Sequence, residues 1–248
     1  MTINLKTLPH GDMPGDKIAI EQQHIDKAEK IYPLLRQLLP QGKCVVCVCG
    51  GSGVGKSEIA SLLAGMLQAD GIGSYVMSGD NYPHRIPCEN DAAREKVYAE
   101  GGREALQRYL GSQQEIDFEL VSAILARFHA GAPSIPMKRM GRTPDALWYD
   151  DVDFSQTQVL ILEWTHGNSD NIRGVDIPIL LNSTPQETLE HRRKRNRDGG
   201  VDSPFTAMVL ELEQKQLMRQ AHKAKIIVTK SGELISYQEY CRLMEEVK

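Results

Sequence analysis

The chain has 248 residues, of which 41% are apolar, 25% charged and 6% aromatic, enough to bury a sizeable core and unlike a disordered or fibrous composition. Its 29 Lys and Arg stand against 33 Asp and Glu, a formal charge of −4, which argues against a protein built to coat nucleic acid or anionic membrane, so any bound anion must meet locally concentrated positive charge. The five Cys lack a disulfide-framework spacing, no apolar signal core follows the N-terminus, and no run approaches the roughly 20 apolar residues of a membrane-spanning helix, so a reduced, cytoplasmic setting is expected.

Residues 1–20 carry Pro9, Gly11, Pro14 and Gly15 without periodicity and read as an irregular arm. Apolar residues from Ile25 to Leu39 recur at helical spacing, so residues 21–40 form a leading helix with a kink at Pro33 and a stop at Pro40. Cys44 to Cys49 is short, β-rich and apolar on both faces, as in a strand inside a parallel sheet. Ile59, Leu62, Leu63, Met66 and Leu67 then mark one stripe of a helix that starts near Ser57.

The alternation continues with a strand over Ser74–Met77, a helix over Glu115–Phe128, and strands over Gln158–Leu162 and Val175–Leu181. Thr184-Pro185-Gln186-Glu187 is a capping box opening a helix, Phe205–Lys223 reads as helix, Lys225–Val228 as a strand, and Ser236 to Glu239 caps a last helix to Val247. Strands separated by helices imply parallel crossovers and an α/β sheet covered on both faces, within one domain over 1–248.

Gly50-Gly51-Ser52-Gly53-Val54-Gly55-Lys56-Ser57 fits G-x-x-x-x-G-K-[ST] between a buried strand and an amphipathic helix. Its glycines let backbone N–H groups converge on phosphate oxygens, the helix turns its positive end to them, and Lys56 adds a charge. A nucleoside triphosphate is the expected ligand, with Ser57 ligating Mg²⁺. Cys44, Cys47 and Cys49 alternate faces on a strand with no second pair at zinc spacing, so they read as core residues.

Glu163 ends an apolar strand, where an acid holds Mg²⁺ directly or through water. Asp80, ending the strand before Asn81-Tyr82-Pro83, suits a base for an attacking hydroxyl; the alternative is an Asx turn. His191 to Asp198 is the densest basic cluster, and with Gly199-Gly200 as a hinge it reads as a lid that puts Arg193 and Arg197 on the migrating phosphoryl; a solvated helical face is the alternative.

With these residues in hand, the chain resembles the uridine kinase and phosphoribulokinase family of P-loop small-molecule kinases over roughly residues 42–230. Gly50–Ser57 is similar to the family's Walker A loop, Gly79 to Arg85 to its acidic segment with Asp80 as base, Glu163 to its Walker B acid, and Arg193 to Asp198 to its Arg-rich lid. The resemblance implies a P-loop NTPase fold with a doubly wound, mostly parallel sheet, and an ATP- and Mg²⁺-dependent transfer of phosphate to a small-molecule hydroxyl. Tyr82, His84, Arg85 and His166 become candidate acceptor residues.

Two departures stand out: Trp164 follows the Walker B acid where the family usually has glycine, and the nucleoside-cradling pattern is absent between Gly131 and Asp153. In its place Lys138, Arg139 and Arg142, followed by Trp148 and Tyr149, suit a carboxylate or phosphate on the acceptor, or else form a solvated hairpin. The acceptor is thus a nucleoside, sugar phosphate or other metabolite, with a homo-oligomer left open. A nucleotide-binding switch is disfavoured by the lack of an Asn-Lys-x-Asp element, and a polynucleotide or nucleotide-end kinase by the acidic net charge and the absence of an aromatic platform.

Overall fold

The computed structural model describes residues 8–143, 145–195 and 203–246. In chain order its elements are α1 (Gln22–Leu38), β1 (Cys44–Gly50), α2 (Lys56–Ala69), β2 (Ser74–Ser78), α3 (Pro87–Tyr109), α4 (Phe118–His129), β3 (Ser134–Met140), β4 (Leu147–Asp153), β5 (Val159–Glu163), β6 (Ile177–Leu181), α5 (Leu189–Arg195), α6 (Pro204–Gln220), β7 (Ile226–Val228), β8 (Leu234–Ile235) and α7 (Tyr237–Glu246).

The strands β2-β5-β1-β6-β7-β8 form one sheet in that order, parallel except for the last pair. β1, β5 and β6 are buried at every residue, which is why each reads as an unbroken apolar run. One face packs α1 and α2 around Cys44, Val46 and Val48. The other receives α4, and Cys47 and Cys49 lie with Leu217, Tyr240 and Met244 of α6 and α7. All five cysteines are free, and Cys44 packs on the opposite face from Cys47 and Cys49, as the strand alternation implied.

Several parts differ from the sequence expectations. The helix expected from Glu115 starts at Phe118, because Asp117 accepts a hydrogen bond from the Leu120 N–H at 2.9 Å and caps it there. α3 was not anticipated; it buries only Asn90, Leu106 and Tyr109 along 23 residues and so carries little apolar period. β3 and β4 form a separate antiparallel hairpin, outside the alternating pattern. The bonds of both capping boxes form, Glu187 with Thr184 at 2.7 and 3.3 Å and Glu239 with Ser236 at 2.7 and 3.2 Å; the second opens α7, whereas after the first residues 185–188 make a turn and α5 begins only at Leu189. Among the described residues, no helix is long and apolar enough to cross a membrane.

Candidate active site

The phosphate loop leaves β1 at the centre of the sheet, between β5 and β6, where ligands of open parallel sheets bind beyond the carboxyl ends of the strands. Gly50, Gly53 and Gly55 hold positive φ of 154°, 75° and 96°. A Cβ on Gly50 would come within 2.5 Å of the Leu181 carbonyl, and one on Gly55 within 2.9 Å of the His24 ring on α1. The loop is therefore gripped from behind, and its amides and the N-terminus of α2 face the cleft. Lys56 Nζ donates to the Gly51 carbonyl at 3.1 Å.

Ser57 Oγ donates to Glu163 Oε2 at 3.1 Å and Ser78 Oγ to Oε1 at 2.5 Å. Burial, helped by the charge of Asp80 and opposed by Lys56, pushes the Glu163 carboxyl up to about 7, so it gains from a neighbouring cation. A hard divalent ion fits this hydroxyl and carboxylate pair. Among the described residues no group of three or more His, Cys, Asp or Glu could hold a metal by itself, so the ion's sphere would be completed by phosphate oxygens and water.

One cleft of about 780 Å³ joins these parts: Lys56, Ser57, Asp80, Glu163 and His166 all line it. Asp80 is exposed within the single 3₁₀ turn Gly79–Asn81 that follows β2. Trp164 is 2% exposed and packs on Phe118 and His166 with ring centroids 5.4 and 5.7 Å apart. A Cβ on Gly79 would overlap the Trp164 indole. The large residue after Glu163 is thus accommodated by a glycine on the neighbouring strand end.

Several expected acceptor residues stand elsewhere. Tyr82 is fully buried beneath the Asp80 turn. His84 contacts the Gln113 carbonyl at 3.0 Å, and Arg85 donates to the Tyr109 hydroxyl at 3.2 Å, outside the cleft lining. Arg139 is 7% exposed; it pairs with Asp12 at 2.7 Å and Asp150 at 3.1 Å and donates to the Tyr75 hydroxyl, so its charge is spent on the fold. Lys138 likewise donates to the Pro83 carbonyl at 2.8 Å. Arg142 is exposed beyond the end of β3, also outside the cleft lining.

In the segment expected to form a lid, half-exposed Arg193 pairs with Glu190 of α5 at 2.9 Å. It is Arg192 that lines the cleft, held by the Pro185 carbonyl at 2.8 Å, while His191 Nδ1 meets the Gly53 carbonyl at 2.7 Å. Arg197 and the Gly199-Gly200 hinge lie outside the described residues.

The far wall of the cleft was not foreseen. Arg94 of α3 pairs with Glu115 at 2.5 Å and reaches Glu213 of α6 at 3.6 Å. Glu115 also accepts from Asn90 Nδ2 at 3.1 Å and the Gly111 N–H at 2.6 Å. No local motif marks these residues, since chain segments from Asn90 to Glu213 must fold together to form the wall.

No protein-family model matches the chain. It is 46% identical over 192 residues, 77% of its length, to a bifunctional alpha-galactosidase/sucrose kinase from Mediterraneibacter gnavus, and spans 20% of that relative. Among solved structures, a protein described as a possible uridine kinase from Bacillus stearothermophilus superposes with a TM-score of 0.56 at 16% identity, covering 82% of this chain and 97% of that one. Phosphoribulokinase from Rhodobacter spheroides gives 0.58 at 15%, covering 77% and 71%. D-glycerate 3-kinase from Cryptococcus neoformans gives 0.50 at 14%, covering 89% and 99%. The chain therefore has the α/β P-loop fold of the uridine kinase-like and phosphoribulokinase-like small-molecule kinases, with its mostly parallel sheet.

Proposed function

We propose that the chain is an ATP- and Mg²⁺-dependent kinase that phosphorylates a hydroxyl of a small carbohydrate. The observation that carries this reading is the convergence of Lys56, Ser57, Asp80 and Glu163 on one cleft. Sucrose kinase is one of the two activities in the name of the Mediterraneibacter gnavus relative, which supports a carbohydrate acceptor for a phosphate-loop chain. Free cysteines and ATP use fit a cytoplasmic setting.

Backbone amides from Gly51 to Ser57 hold the β- and γ-phosphates, with Lys56 placing its charge beside them. Ser57 and Glu163 hold Mg²⁺, which when bound neutralises charge on the phosphate oxygens. Asp80 orients the acceptor hydroxyl and takes its proton as the acceptor oxygen bonds to the γ-phosphorus and the bond from phosphorus to the ADP oxygen breaks. The products are a phosphate ester and ADP, and the proton leaves Asp80 for solvent. Arg192, rather than Arg193, neutralises the migrating phosphoryl from the lid side; Arg197 is a further candidate for that role. Because little covalent work falls to the protein, positioning and electrostatics supply most of the rate.

The test is ADP release with MgATP against sucrose, fructose, uridine and fructose 6-phosphate. Acceptor-dependent ADP release and a sugar phosphate product are expected with a carbohydrate. Hydrolysis that no hydroxyl compound stimulates would overturn the kinase reading.

A further inference from the structure

The cleft has two ends of opposite electrical character. Its basic groups other than Arg94, namely Lys56 and Arg192, belong to the phosphate loop and the lid beside it. The side of the cleft formed by α3 and the segment before α4 presents Asp91, Glu95 and Glu115, with Arg94 as the one cation lining it among the described residues, while Glu213 stands between that side and the phosphate loop, where it also meets the recess of Gly51, Ser52 and Arg192. Arg94 is already bound to Glu115 at 2.5 Å and faces Glu213 at 3.6 Å. Three carboxylates against one guanidinium leave that side net negative, so an acceptor carrying phosphate or carboxylate would meet charge of its own sign there.

The same side of the cleft is lined by hydrogen-bonding groups. Asn90 is 6% exposed and lines the cleft; its Nδ2 is used by Glu115, yet its Oδ1 has no partner among the described residues. A buried acceptor left open in this way costs free energy unless a ligand donates to it. Burial lowers the His166 imidazole to about 4 against the pull of Glu115, so the ring is neutral and offers one donor and one acceptor. Burial also raises the Glu213 carboxyl above its ordinary range, with Arg94 opposing. Ile116, Phe205 and Val209 add apolar surface to the same cleft. Polar groups that read hydroxyls, beside an apolar patch, suit the two-sided character of a sugar ring.

We propose that Asn90, Arg94, Glu115, His166 and Glu213 form the acceptor subsite, and that this subsite selects an uncharged polyhydroxylated acceptor against its phosphorylated or carboxylated counterparts. The inference rests on the kinase reading above and adds to it which residues choose the acceptor and by what chemistry. Arg94 and Glu115 hold the wall in shape, while Asn90, His166 and Glu213 meet the acceptor hydroxyls.

Two measurements on the full chain test it together. The first is calorimetric binding of sucrose and of fructose 6-phosphate to protein saturated with Mg²⁺ and a non-hydrolysable ATP analogue. The second is steady-state kinetics with ATP and each sugar, for the natural protein, Glu213→Gln and Asn90→Asp. The neutral sugar is expected to bind at least about tenfold more tightly than the sugar phosphate. Glu213→Gln should raise KM for the neutral sugar about tenfold with KM for ATP changed by less than about threefold, and narrow the preference for the neutral sugar. Asn90→Asp, which keeps the shape and adds a charge, should raise the acceptor KM in the same manner.

An unchanged acceptor KM in a folded Glu213→Gln and Asn90→Asp, or tighter binding of the sugar phosphate, overturns the subsite while leaving the kinase reading intact. Sugar binding that depends on Glu213 without phosphorylation overturns the kinase reading and supports the subsite. Absence of binding by either sugar overturns the subsite, and overturns the kinase reading as well only where no hydroxyl compound stimulates ADP release.

Discussion

Asp80 and Glu163 are neighbouring acids on adjacent strand ends with different surroundings. Glu163 is 3% exposed and clasped by Ser57 and Ser78, whereas Asp80 stands exposed at the cleft. That division suits one acid to hold a cation and the other to handle a proton. Asp80→Asn should therefore leave KM for ATP within about threefold and lower kcat by about 10²-fold or more. Steady-state kinetics with the cognate sugar measures both, and near-normal turnover would remove Asp80 from the mechanism. His166 makes a separate prediction about pH. Burial holds its imidazole at about 4 in the folded chain against 6.5 for the free group, so between those values the unfolded chain binds more protons. Stability should then fall as pH drops from about 6.5 to about 4. His166→Asn should flatten the Tm-against-pH curve in that window, and a curve of unchanged slope would contradict the assignment.

At the scale of elements, the turn after β2 and the residue after β5 are matched to each other. Trp164 fills the space that a Gly79 side chain would need, and Gly167 leaves room for Cys47 in the same region. Gly79→Ala should cost about 1–3 kcal/mol through overpacking, and Trp164→Ala about 3–5 kcal/mol through the cavity it leaves. Because the two side chains claim the same volume, the double variant should be more stable than the sum of the single losses implies, by about 1 kcal/mol or more. Urea denaturation of the four proteins measures this coupling, and strict additivity would show that the turn and the indole are independent. This pairing also shows what sequence could convey. The phosphate loop was legible because its chemistry is packed into eight consecutive residues between a buried strand and an amphipathic helix. Trp164 looked like a departure because its compensation, Gly79, is 85 positions away and touches it only through the β2–β5 pairing. The cations of 138–142 suited a substrate site and a solvated hairpin alike, because charge in a sequence carries no sign of its partner. α3 escaped notice since a mostly exposed helix needs no apolar stripe, and with it went Asn90 and Arg94.

Across the whole molecule, the N-terminal arm ties the turn that bears Asp80 to the hairpin. Asp12 accepts from the Ser78 N–H at 2.7 Å, Asn81 Nδ2 at 3.0 Å and the Tyr75 hydroxyl at 2.8 Å, and pairs with Arg139 of β3 at 2.7 Å. From the hairpin side, the Met140 N–H donates to Asn81 Oδ1 at 3.0 Å. The residues flanking Asp80 are thus fixed by two segments far apart in sequence, one of them an arm without regular structure. Arg139 and Asp12 have side chains only 9% and 7% exposed, so each charge relies on the other. Asp12→Ala would leave Arg139 with the half-exposed Asp150 as its ionic partner, a loss of about 3 kcal/mol. It should also lower kcat, since the turn bearing Asp80 loses its anchor. Replacing both partners with apolar residues of similar size, Asp12→Leu with Arg139→Met, removes the buried charges together and should recover most of the stability. It would not restore the bonds to Ser78 and Asn81, so turnover should stay low. Thermal denaturation and kcat on the single and double variants separate the two roles. If stability and kcat recover together, Asp12 serves the fold alone and has no part in placing Asp80.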